Sequence, residues 1–150
     1  MSMTDLTVAD LPFRILPALT DLNREFWTAG VRGELRFLRC NACGYYNHPP
    51  TPVCPVCHSK DLAPSTVSGR ATLHTYTINH QAWMPGPELP YVIGIVDIPE
   101  QADLRLTTNI VNCPHDELVI GMALRVTFEV HTDGEDQIAI PLFEPDRTAP

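Results

Sequence analysis

The pattern of apolar and polar residues changes near residue 70, and beyond that point it predicts strands. Apolar and polar residues alternate there, as in GMALRVTFEV, whereas YVIGIVDI is a continuous apolar run that predicts a strand buried on both faces. The predicted strands cover residues 71–79, 91–98, 102–111, 121–130 and 137–143. Five short strands without a convincing helix among them predict a closed barrel such as an OB-fold, with a small open sandwich as the alternative.

Before residue 70 the pattern predicts one short helix and one strand. The apolar stripe of the helix consists of Leu19, Leu22, Phe26 and Ala29, and a glycine follows as a stop signal. The segment GELRFLRC alternates and predicts a strand that leads into the first cysteine. The fold class is therefore mainly β. We expect a flexible arm over residues 1–17, an N-terminal helix over 18–33, a zinc ribbon over 34–66, the OB-fold over 67–143 and a tail over 144–150.

Four of the five cysteines form two C-x2-C pairs within the stretch CNACGYYNHPPTPVCPVC. Each pair can aim two thiolates at one point, and four thiolates complete a tetrahedral site that has no open position for water. Zinc suits this ligand set, and iron in a rubredoxin-like centre is the alternative that the same ligands allow. We therefore predict a structural metal site. Its ligands are Cys40, Cys43, Cys54 and Cys57.

Other uses of these cysteines fit the sequence less well. Two disulfides would leave Cys113 unpaired, and we recognise no signal peptide, so the expected location is the reducing cytoplasm. A thioredoxin-type redox motif would need a βαβ context. His48 and His58 lie near the ligands, but with four thiolates present we expect them on the surface or beside the site. His58 stands where the first pair has Gly44, which indicates a second knuckle of altered shape.

Charge is divided unevenly along the 150 residues, whose net charge is −8. Residues 1–70 carry seven Lys and Arg against six Asp and Glu, or +1, and residues 71–150 carry three against twelve, or −9. An acidic barrel disfavours binding to the phosphates of nucleic acid. No apolar run reaches the roughly 18 residues that a membrane span requires. We therefore expect a soluble protein without a membrane partner.

The ordered combination of motifs carries a resemblance to a known family. An FW-containing helix is followed by a G-x-L strand, RCNACG, a Pro-rich span and CPVC, and later by PYVIGIV and GMALRVTFE. Between about residues 19 and 143 the chain resembles a family long catalogued as a domain of unknown function. In that family a rubredoxin-like zinc ribbon precedes an OB-fold, and its members are associated with acyl-CoA metabolism.

The resemblance implies an accessory subunit in a hetero-oligomer. Members of the family are similar to the small partners of thiolase-fold enzymes, including aldolase-type and acetyl-transfer complexes that act on CoA thioesters of steroids, isoprenoid precursors or aryl ketones. It implies the same four cysteines as metal ligands and an acyl-CoA thioester as ligand of the complex. It also directs attention to the surfaces around Phe26 and Trp27 and around Trp83.

Two features of the sequence are candidates for contact with acyl-CoA or the partner. Arg24, Arg36 and Arg39 belong to a basic cluster on the helix and the following strand, and arginine binds phosphate in a bidentate way. Trp83 and Met84 lie in a Pro- and Gly-rich loop where polar residues are usual. Our hypothesis is that the arginines meet CoA phosphates while the loop borders the acyl path. The alternative is a solvated basic strip that pairs with the acidic half.

Nothing in the sequence specifies catalysis by the chain alone. There is no nucleophile elbow, Gly-rich phosphate loop or H-E-x-x-H motif, and Cys113 beside His115 is weak evidence for a nucleophile. We predict a non-catalytic accessory subunit of a thiolase, aldolase or acyltransferase type of enzyme, in steroid or lipid side-chain metabolism. It would organise the complex and help to shape the acyl-CoA site. The alternatives are a nucleic-acid-binding OB-fold protein and a rubredoxin-like electron carrier.

Overall fold

The computed structural model describes residues 14–148 as a three-stranded sheet followed by a closed five-stranded barrel. The N-terminal elements are helix α1 (Arg24–Thr28) and a 3-10 helix (Ala29–Arg32). The small sheet consists of β1 (Arg36–Cys40), β2 (Tyr46–Asn47) and β3 (Leu62–Thr66). The barrel consists of β4 (Arg70–Asn79), β5 (Tyr91–Asp97), β6 (Arg105–Ile110), β7 (Ala123–Asp133) and β8 (Asp136–Pro145), with a 3-10 helix (His115–Glu117) between β6 and β7.

The barrel has the strand order β4-β5-β6-β8-β7, and β7 returns to β4 to close it. Its strand pairs are antiparallel except for β6 and β8, which meet in parallel where Ile110 lies opposite Phe143. The hairpin between β7 and β8 turns at Gly134, which has a φ angle of +61°. Five strands closed in this order confirm the predicted fold class, mainly β with an OB-fold barrel.

The core of the barrel is built from the inward residues of each strand. Val92 and Val96 of β5 are fully buried, but the residues that alternate with them are only half-buried. The prediction that this strand is buried on both faces is therefore wrong: its outward face is not fully covered. The largest fully buried side chains of the barrel are Leu73, Val92, Val96, Ile98, Leu124, Ile138 and Phe143.

Strand β8 shows the opposite departure from alternation. Ile138 and its neighbour Ala139 are both buried, and so are Leu142 and its neighbour Phe143. Because adjacent residues of a strand point to opposite faces, both faces of β8 are covered at these positions. The cause lies outside the barrel, where the 3-10 helix packs on this strand. A Cβ atom added at Gly30 would lie only 2.6 Å from the Cβ of Ala139, so the backbone of the helix is in close contact with β8.

The helical segment is shorter than the predicted helix. Residues 20–23 form a turn in which the Thr20 backbone N–H donates to Asn23 Oδ1 (2.7 Å), and the α-helix begins only at Arg24. Phe26 and Ala29 of the predicted stripe are buried, but Leu22 is 38% exposed. The chain thus uses one turn of α-helix and one of 3-10 helix to pack on the barrel and on β1.

Both ends of the described chain lie against the barrel. The predicted arm falls mostly on residues 1–13, which are outside the described residues, whereas Arg14 forms an ion pair with Glu129 (Nε to Oε1, 2.6 Å). At the other end β8 continues to Pro145, two residues into the predicted tail, and the Asp146 N–H donates to the Ala123 carbonyl (3.0 Å). No helix in the described part of the chain is long and apolar enough to cross a membrane.

Candidate metal centre and barrel groove

Two knuckles of similar hydrogen bonding present the four cysteines. In the first, the Gly44 N–H donates to the Cys40 carbonyl (2.8 Å), and in the second the His58 N–H donates to the Cys54 carbonyl (3.0 Å). Strand β1 ends at Cys40, so the sheet holds the first knuckle in place. The Asn41 N–H also donates to the Asp61 carbonyl (2.8 Å), which ties the first knuckle to the segment after the second.

The sulfur atoms of Cys40, Cys43, Cys54 and Cys57 all lie within 4.8 Å of one another. The Cys40–Cys57 and Cys43–Cys54 sulfur pairs are separated by 3.5 and 3.6 Å. A tetrahedral ion with metal to sulfur bonds of about 2.3 Å requires sulfur separations of about 3.8 Å. The donor set therefore fits a tetrahedral metal, and its four thiols complete the coordination. The arrangement supports the predicted metal centre of the four-cysteine class.

The backbone of each knuckle prepares its first cysteine for ionisation. A hydrogen bond from the backbone N–H of Cys43 lowers the pKa of the Cys40 thiol to about 6. The backbone N–H of Cys57 likewise lowers the pKa of the Cys54 thiol. Both of these sulfurs belong to buried residues, whereas Cys43 and Cys57 are exposed. These hydrogen bonds favour the thiolate form of Cys40 and Cys54, which is the form that binds a metal, whereas desolvation and the neighbouring sulfurs raise the pKa of Cys43 and of Cys57.

Neither histidine near the cysteines belongs to the group of potential ligands. His48 instead packs between Phe26 and Phe37, with ring centroids 4.7 and 5.0 Å away. Burial lowers the pKa of His48 to about 4, so its ring is neutral and acts as a third aromatic side chain between α1 and β1. His58 is exposed and follows the last cysteine with a φ angle of +63°.

The ribbon is fastened to the barrel by a reciprocal pair of hydrogen bonds. The Tyr46 backbone N–H donates to Gln101 Oε1 (2.8 Å), and Gln101 Nε2 donates to the Tyr46 carbonyl (2.9 Å). Gln101 lies in the turn between β5 and β6, and Tyr46 lies on β2 beside the first knuckle. The metal centre therefore has a defined position relative to the barrel, although nothing in the sequence indicated the role of Gln101.

The three candidate arginines make intramolecular contacts. Arg36 forms a salt bridge with Glu25 (2.9 Å) and donates to the Pro64 carbonyl (3.1 Å). Arg39 donates to the Gly44 carbonyl (2.9 Å), and its guanidinium carbon lies 4.7 Å from the centre of the Tyr46 ring. Arg24 forms an exposed salt bridge with Asp136 of the β7–β8 hairpin (3.0 Å). The structure thus places them on α1 and β1, in contacts within the chain.

The loop between β4 and β5 keeps its two candidate residues at the surface. Trp83 is 77% exposed and Met84 is 42% exposed. The indole is nevertheless held, because Trp83 Nε1 donates to Asn79 Oδ1 (3.0 Å) and Asn79 Nδ2 donates to the Gln81 carbonyl (2.8 Å). Met84 lines a groove on the barrel, and none of the three candidate arginines is among the residues that line it.

This groove has a volume of about 890 Å³ and was not predicted from the sequence. Its wall includes Arg14, Ile15 and Pro17 from the N-terminal segment, with Trp27 from α1 and Met84 from the loop. These residues are distant in sequence and meet only because the barrel brings them together. The remaining lining residues come from the loop, from strands β5 to β8 and from the connection between β6 and β7, and they include Leu89, Tyr91, Asn109, Cys113, His115, Glu129, Ile140 and Leu142.

A polar network forms one side of the groove. Arg14 donates from Nε to Glu129 Oε1 (2.6 Å) and from Nη2 to Asn109 Oδ1 (3.0 Å), and His131 Nε2 lies 2.6 Å from the same Glu129 oxygen. Burial alone would raise the pKa of Glu129, but the hydrogen bonds from Arg14 and His131 lower it. The alternation in GMALRVTFEV places Glu129 on the polar face of β7, and no pattern in the sequence indicates its contacts with Arg14 and His131.

Cys113 also lines the groove, apart from the metal centre. It is half-buried, and burial raises the pKa of its thiol, with a further contribution from the carboxylates of Glu117 and Asp116. The side chain donates no hydrogen bond to a histidine; its sulfur lies 3.4 Å from the Pro114 carbonyl oxygen. A thiol with a raised pKa is poorly suited to act as a nucleophile.

Comparisons with known proteins agree with this two-part architecture. The family model described as the ChsH2 rubredoxin-like zinc ribbon domain matches residues 27–63. The family model described as the ChsH2 C-terminal OB-fold domain matches residues 65–129. The two matches adjoin and follow the same order as the ribbon and the barrel.

Curated relatives differ in how much of their own length the chain spans. A DUF35 domain-containing scaffold protein of Methanothermobacter thermautotrophicus is 32% identical over 80% of this chain and 91% of its own length. A probable enoyl-CoA hydratase alpha subunit of Thermomonospora curvata is 31% identical over 86% of this chain but only 39% of its own length. A 3-oxo-4,17-pregnadiene-20-carboxyl-CoA hydratase alpha subunit of Mycobacterium tuberculosis is 31% identical over 69% of this chain and 32% of its own length.

A solved structure shares both the fold and part of the sequence. A chain of the Ltp2-ChsH2(DUF35) aldolase superposes with a TM-score of 0.73 and 33% identity, over 87% of this chain and 98% of that one. A DUF35 protein of Sulfolobus solfataricus has a TM-score of 0.56 at 15% identity, which speaks for the fold alone. The chain belongs to the DUF35 family, in which a ChsH2-type rubredoxin-like zinc ribbon precedes an OB-fold domain.

Proposed function

We propose that the chain is a non-catalytic accessory subunit of an acyl-CoA-processing enzyme complex, and that its partner is a thiolase-fold protein. The observation that carries the proposal is the uncovered apolar surface formed by the groove, Trp83 and Met84. An apolar surface of this kind on a soluble domain is typical of a binding site. The four-thiolate centre is closed and serves to hold the ribbon in shape.

The names of the relatives support the acyl-CoA part of the proposal. Two are hydratase alpha subunits whose names specify a CoA thioester, one is a scaffold protein, and the DUF35 chain of similar structure belongs to an aldolase. This chain spans about 39% and 32% of the two hydratase subunits, so the hydratase activity of those proteins is not transferred to it. A scaffolding role requires only the ribbon and the barrel, which are the parts that this chain shares with its relatives.

Zinc is the proposed occupant of the metal centre, with iron as the alternative. Zinc needs no redox partner and accepts the tetrahedral geometry that four thiolates impose. The centre would stabilise β1 and the knuckles, and through Tyr46 and Gln101 it would position the ribbon on the barrel. We place the protein in the cytoplasm, where these thiols would stay reduced. A rubredoxin-like iron centre would instead absorb visible light.

Within this function, Arg24, Arg36, Arg39, Trp83 and Met84 remain our candidates for contact with acyl-CoA or the partner. A ligand phosphate would have to replace an intramolecular partner of each arginine. Arg24 can exchange at least cost, because its salt bridge with Asp136 is exposed and such pairs contribute about 0 to 1 kcal/mol. Arg36 and Arg39 are held by backbone carbonyls as well.

The test of the function is reconstitution with a thiolase-fold protein from the source organism, chosen first from the genes nearest to that of this chain. Both proteins are expressed together, and size-exclusion chromatography with light scattering and metal analysis is applied to the peak. We expect co-elution with one zinc ion per small chain, and thioester cleavage or formation that requires both proteins. A zinc-loaded chain that remains free in the presence of this partner would contradict the proposal.

The arginine candidates need a separate measurement on the reconstituted complex. We expect Arg24→Ala to weaken the binding of an acyl-CoA thioester several-fold, whereas Arg125→Ala, at the opposite end of the β7–β8 pair from Asp136, serves as the matched control. Unchanged affinity in Arg24→Ala, and in Arg36→Ala with Arg39→Ala, would remove these residues from the site. The subunit function would stand in that case, because complex formation is measured independently.

A further inference from the structure

We propose that the groove and the loop formed by residues 81–90 receive the partner, and that the partner inserts there an apolar segment flanked by lysine or arginine. The inference rests on the proposed function and specifies its interface. We refer to this surface as the docking face, defined by the groove lining together with Trp83. We infer from the shape and the charge of the docking face that its occupant is a segment of protein.

The first reason is that the apolar side chains extend beyond the groove. Met84 lines the groove, but its neighbour Trp83 is 77% exposed and lies on the loop outside the lining, and Leu89 is 36% exposed. A small ligand held within the groove would leave the indole of Trp83 in water. A protein segment can fill the groove and cover the indole at the same time.

The second reason is that the exposed side chain of Trp83 is already held in one orientation. The Trp83 indole is held by its hydrogen bond to Asn79 (3.0 Å), so little side-chain freedom is lost when a partner covers it. Tryptophan is among the residues that contribute most to protein interfaces when it is buried there. On the opposite side of the groove, the ion pair of Arg14 with Glu129 holds the N-terminal segment as a second wall.

The third reason is the charge around the groove. Glu88 lines it, and Asp116 and Glu117 follow the lining residue His115. None of these three carboxylates forms a salt bridge with a described residue. Arg147 also lies near Cys113, so its positive charge offsets one of the three negative charges at the rim. The rim therefore keeps a net negative charge, and basic side chains beside the inserted segment would complement it.

The experiment measures the affinity of the full-length chain for the thiolase-fold protein by biolayer interferometry at constant salt. We expect Trp83→Ala and Leu89→Asp each to weaken binding about tenfold or more, as at a central interface residue. Ile120→Asp is the matched control, because Ile120 is an apolar residue of similar exposure (63%) that lies away from the docking face. The N–H of its neighbour Gly121 donates to the Leu73 carbonyl, near the end of β4 opposite to the loop of residues 81–90. The affinity of Ile120→Asp should stay within about twofold of the wild type.

The charge of the partner is tested with Glu88→Lys combined with Glu117→Lys. We expect the wild-type affinity to fall as salt is raised, since salt screens attraction between opposite charges. The double variant should bind several-fold more weakly, and its affinity should no longer fall with salt. Asp103→Lys is the control, because Asp103 is exposed in the turn at the opposite end of β5 and β6. Metal content and thermal unfolding establish that each variant is folded.

The outcomes separate this inference from the proposed function. A wild-type complex that is insensitive to the Trp83, Leu89 and charge variants would overturn the docking face while the subunit function stands. Absence of any complex would overturn both. Binding of octanoyl-CoA to the isolated chain, in competition with the partner, would assign the groove to the thioester instead. A gain in affinity from Leu11→Asp with Phe13→Asp would assign it to the chain's own N-terminal residues, and either result would overturn the proposal.

Discussion

His58 and Gly44 have the same left-handed backbone conformation, with φ angles of +63° and +80°. Each residue directly follows the second cysteine of a knuckle, and each donates its N–H to the carbonyl of the first cysteine. Glycine adopts this conformation freely, whereas a residue with a Cβ atom is disfavoured in it by about 1 to 2 kcal/mol. The two knuckles therefore have the same backbone shape, and only the second is strained at this position.

We expect His58→Gly to stabilise the protein. Removal of the Cβ atom relieves the left-handed strain, although the more flexible unfolded chain offsets part of the gain, so the net effect is about 0.5 to 1 kcal/mol. For a chain of this size the thermal midpoint should rise by about 2 to 4 °C, measured by calorimetry with the metal bound. Gly44→Ala is the matched control and should be destabilising. A lower midpoint in His58→Gly would indicate a stabilising role of the imidazole.

Loss of one metal ligand should unfold the ribbon and leave the barrel strands in place. We expect Cys43→Ser to reduce bound metal strongly and to lower the thermal midpoint, because binding free energy at such a site contributes directly to folding. Cys113→Ser is the matched control, since Cys113 is half-buried and outside the group of four sulfurs. Elemental analysis and calorimetry check both variants. Full metal content in Cys43→Ser would contradict the four-ligand assignment.

Gly30 should not tolerate a larger side chain. A Cβ atom there would be within 2.6 Å of the Ala139 Cβ and would also overlap the Phe128 ring. We expect Gly30→Ala to lower the free energy of unfolding by about 1 to 3 kcal/mol, the usual cost of overpacking. Urea unfolding measures the change. Addition of Phe128→Leu should recover part of the loss, and a double variant no more stable than Gly30→Ala would point to a different cause.

Protonation of His48 should destabilise the fold in mild acid. The pKa of this residue is lowered from 6.5 to about 4 by burial, so between these values the unfolded chain binds a proton that the folded chain does not. The contribution is fully present above about pH 6.5, and stability falls by up to about 3 kcal/mol as the pH drops towards 4.

The measurement for His48 is the free energy of unfolding in urea at a series of pH values. The His48→Phe variant keeps an aromatic ring between Phe26 and Phe37 but cannot be protonated. We expect its stability to fall less steeply than that of the wild type between pH 6.5 and 4. Metal content is measured at each pH, because acid also protonates the cysteines. Parallel profiles for the two proteins would contradict a buried neutral His48.

Predictions from the sequence succeeded where neighbouring residues carry the information. The spacing of Cys40, Cys43, Cys54 and Cys57 predicted that their four sulfurs lie together, because a C-x2-C turn brings two thiols together by itself. Alternation likewise identified the barrel strands, since side chains of a strand point to opposite faces in turn. One local expectation was wrong: His58 in place of glycine predicted a second knuckle of altered shape, but His58 adopts the same left-handed backbone as Gly44.

The predictions failed where a residue's surroundings come from distant parts of the chain. The pattern of β8 did not indicate that both faces would be buried, because Gly30 packs on it from more than 100 residues away. The basic cluster left open whether its arginines meet a ligand or pair within the chain, and only the structure shows Arg36 paired with Glu25 and Arg24 with Asp136 of the acidic half. Charge placement alone does not distinguish a side chain that is free for a ligand from one held within the fold.

The sequence by itself determined the two-part architecture, the cluster of four cysteines and the acidic character of the barrel. These properties depend on composition and on spacings of a few residues. Only the tertiary structure decided that Arg14, Trp27 and Met84 would line one groove, and that Trp83 would stand beside it. The physical reason is that barrel closure sets which strands and loops become neighbours, and a contact between segments so far apart leaves no local pattern in the sequence.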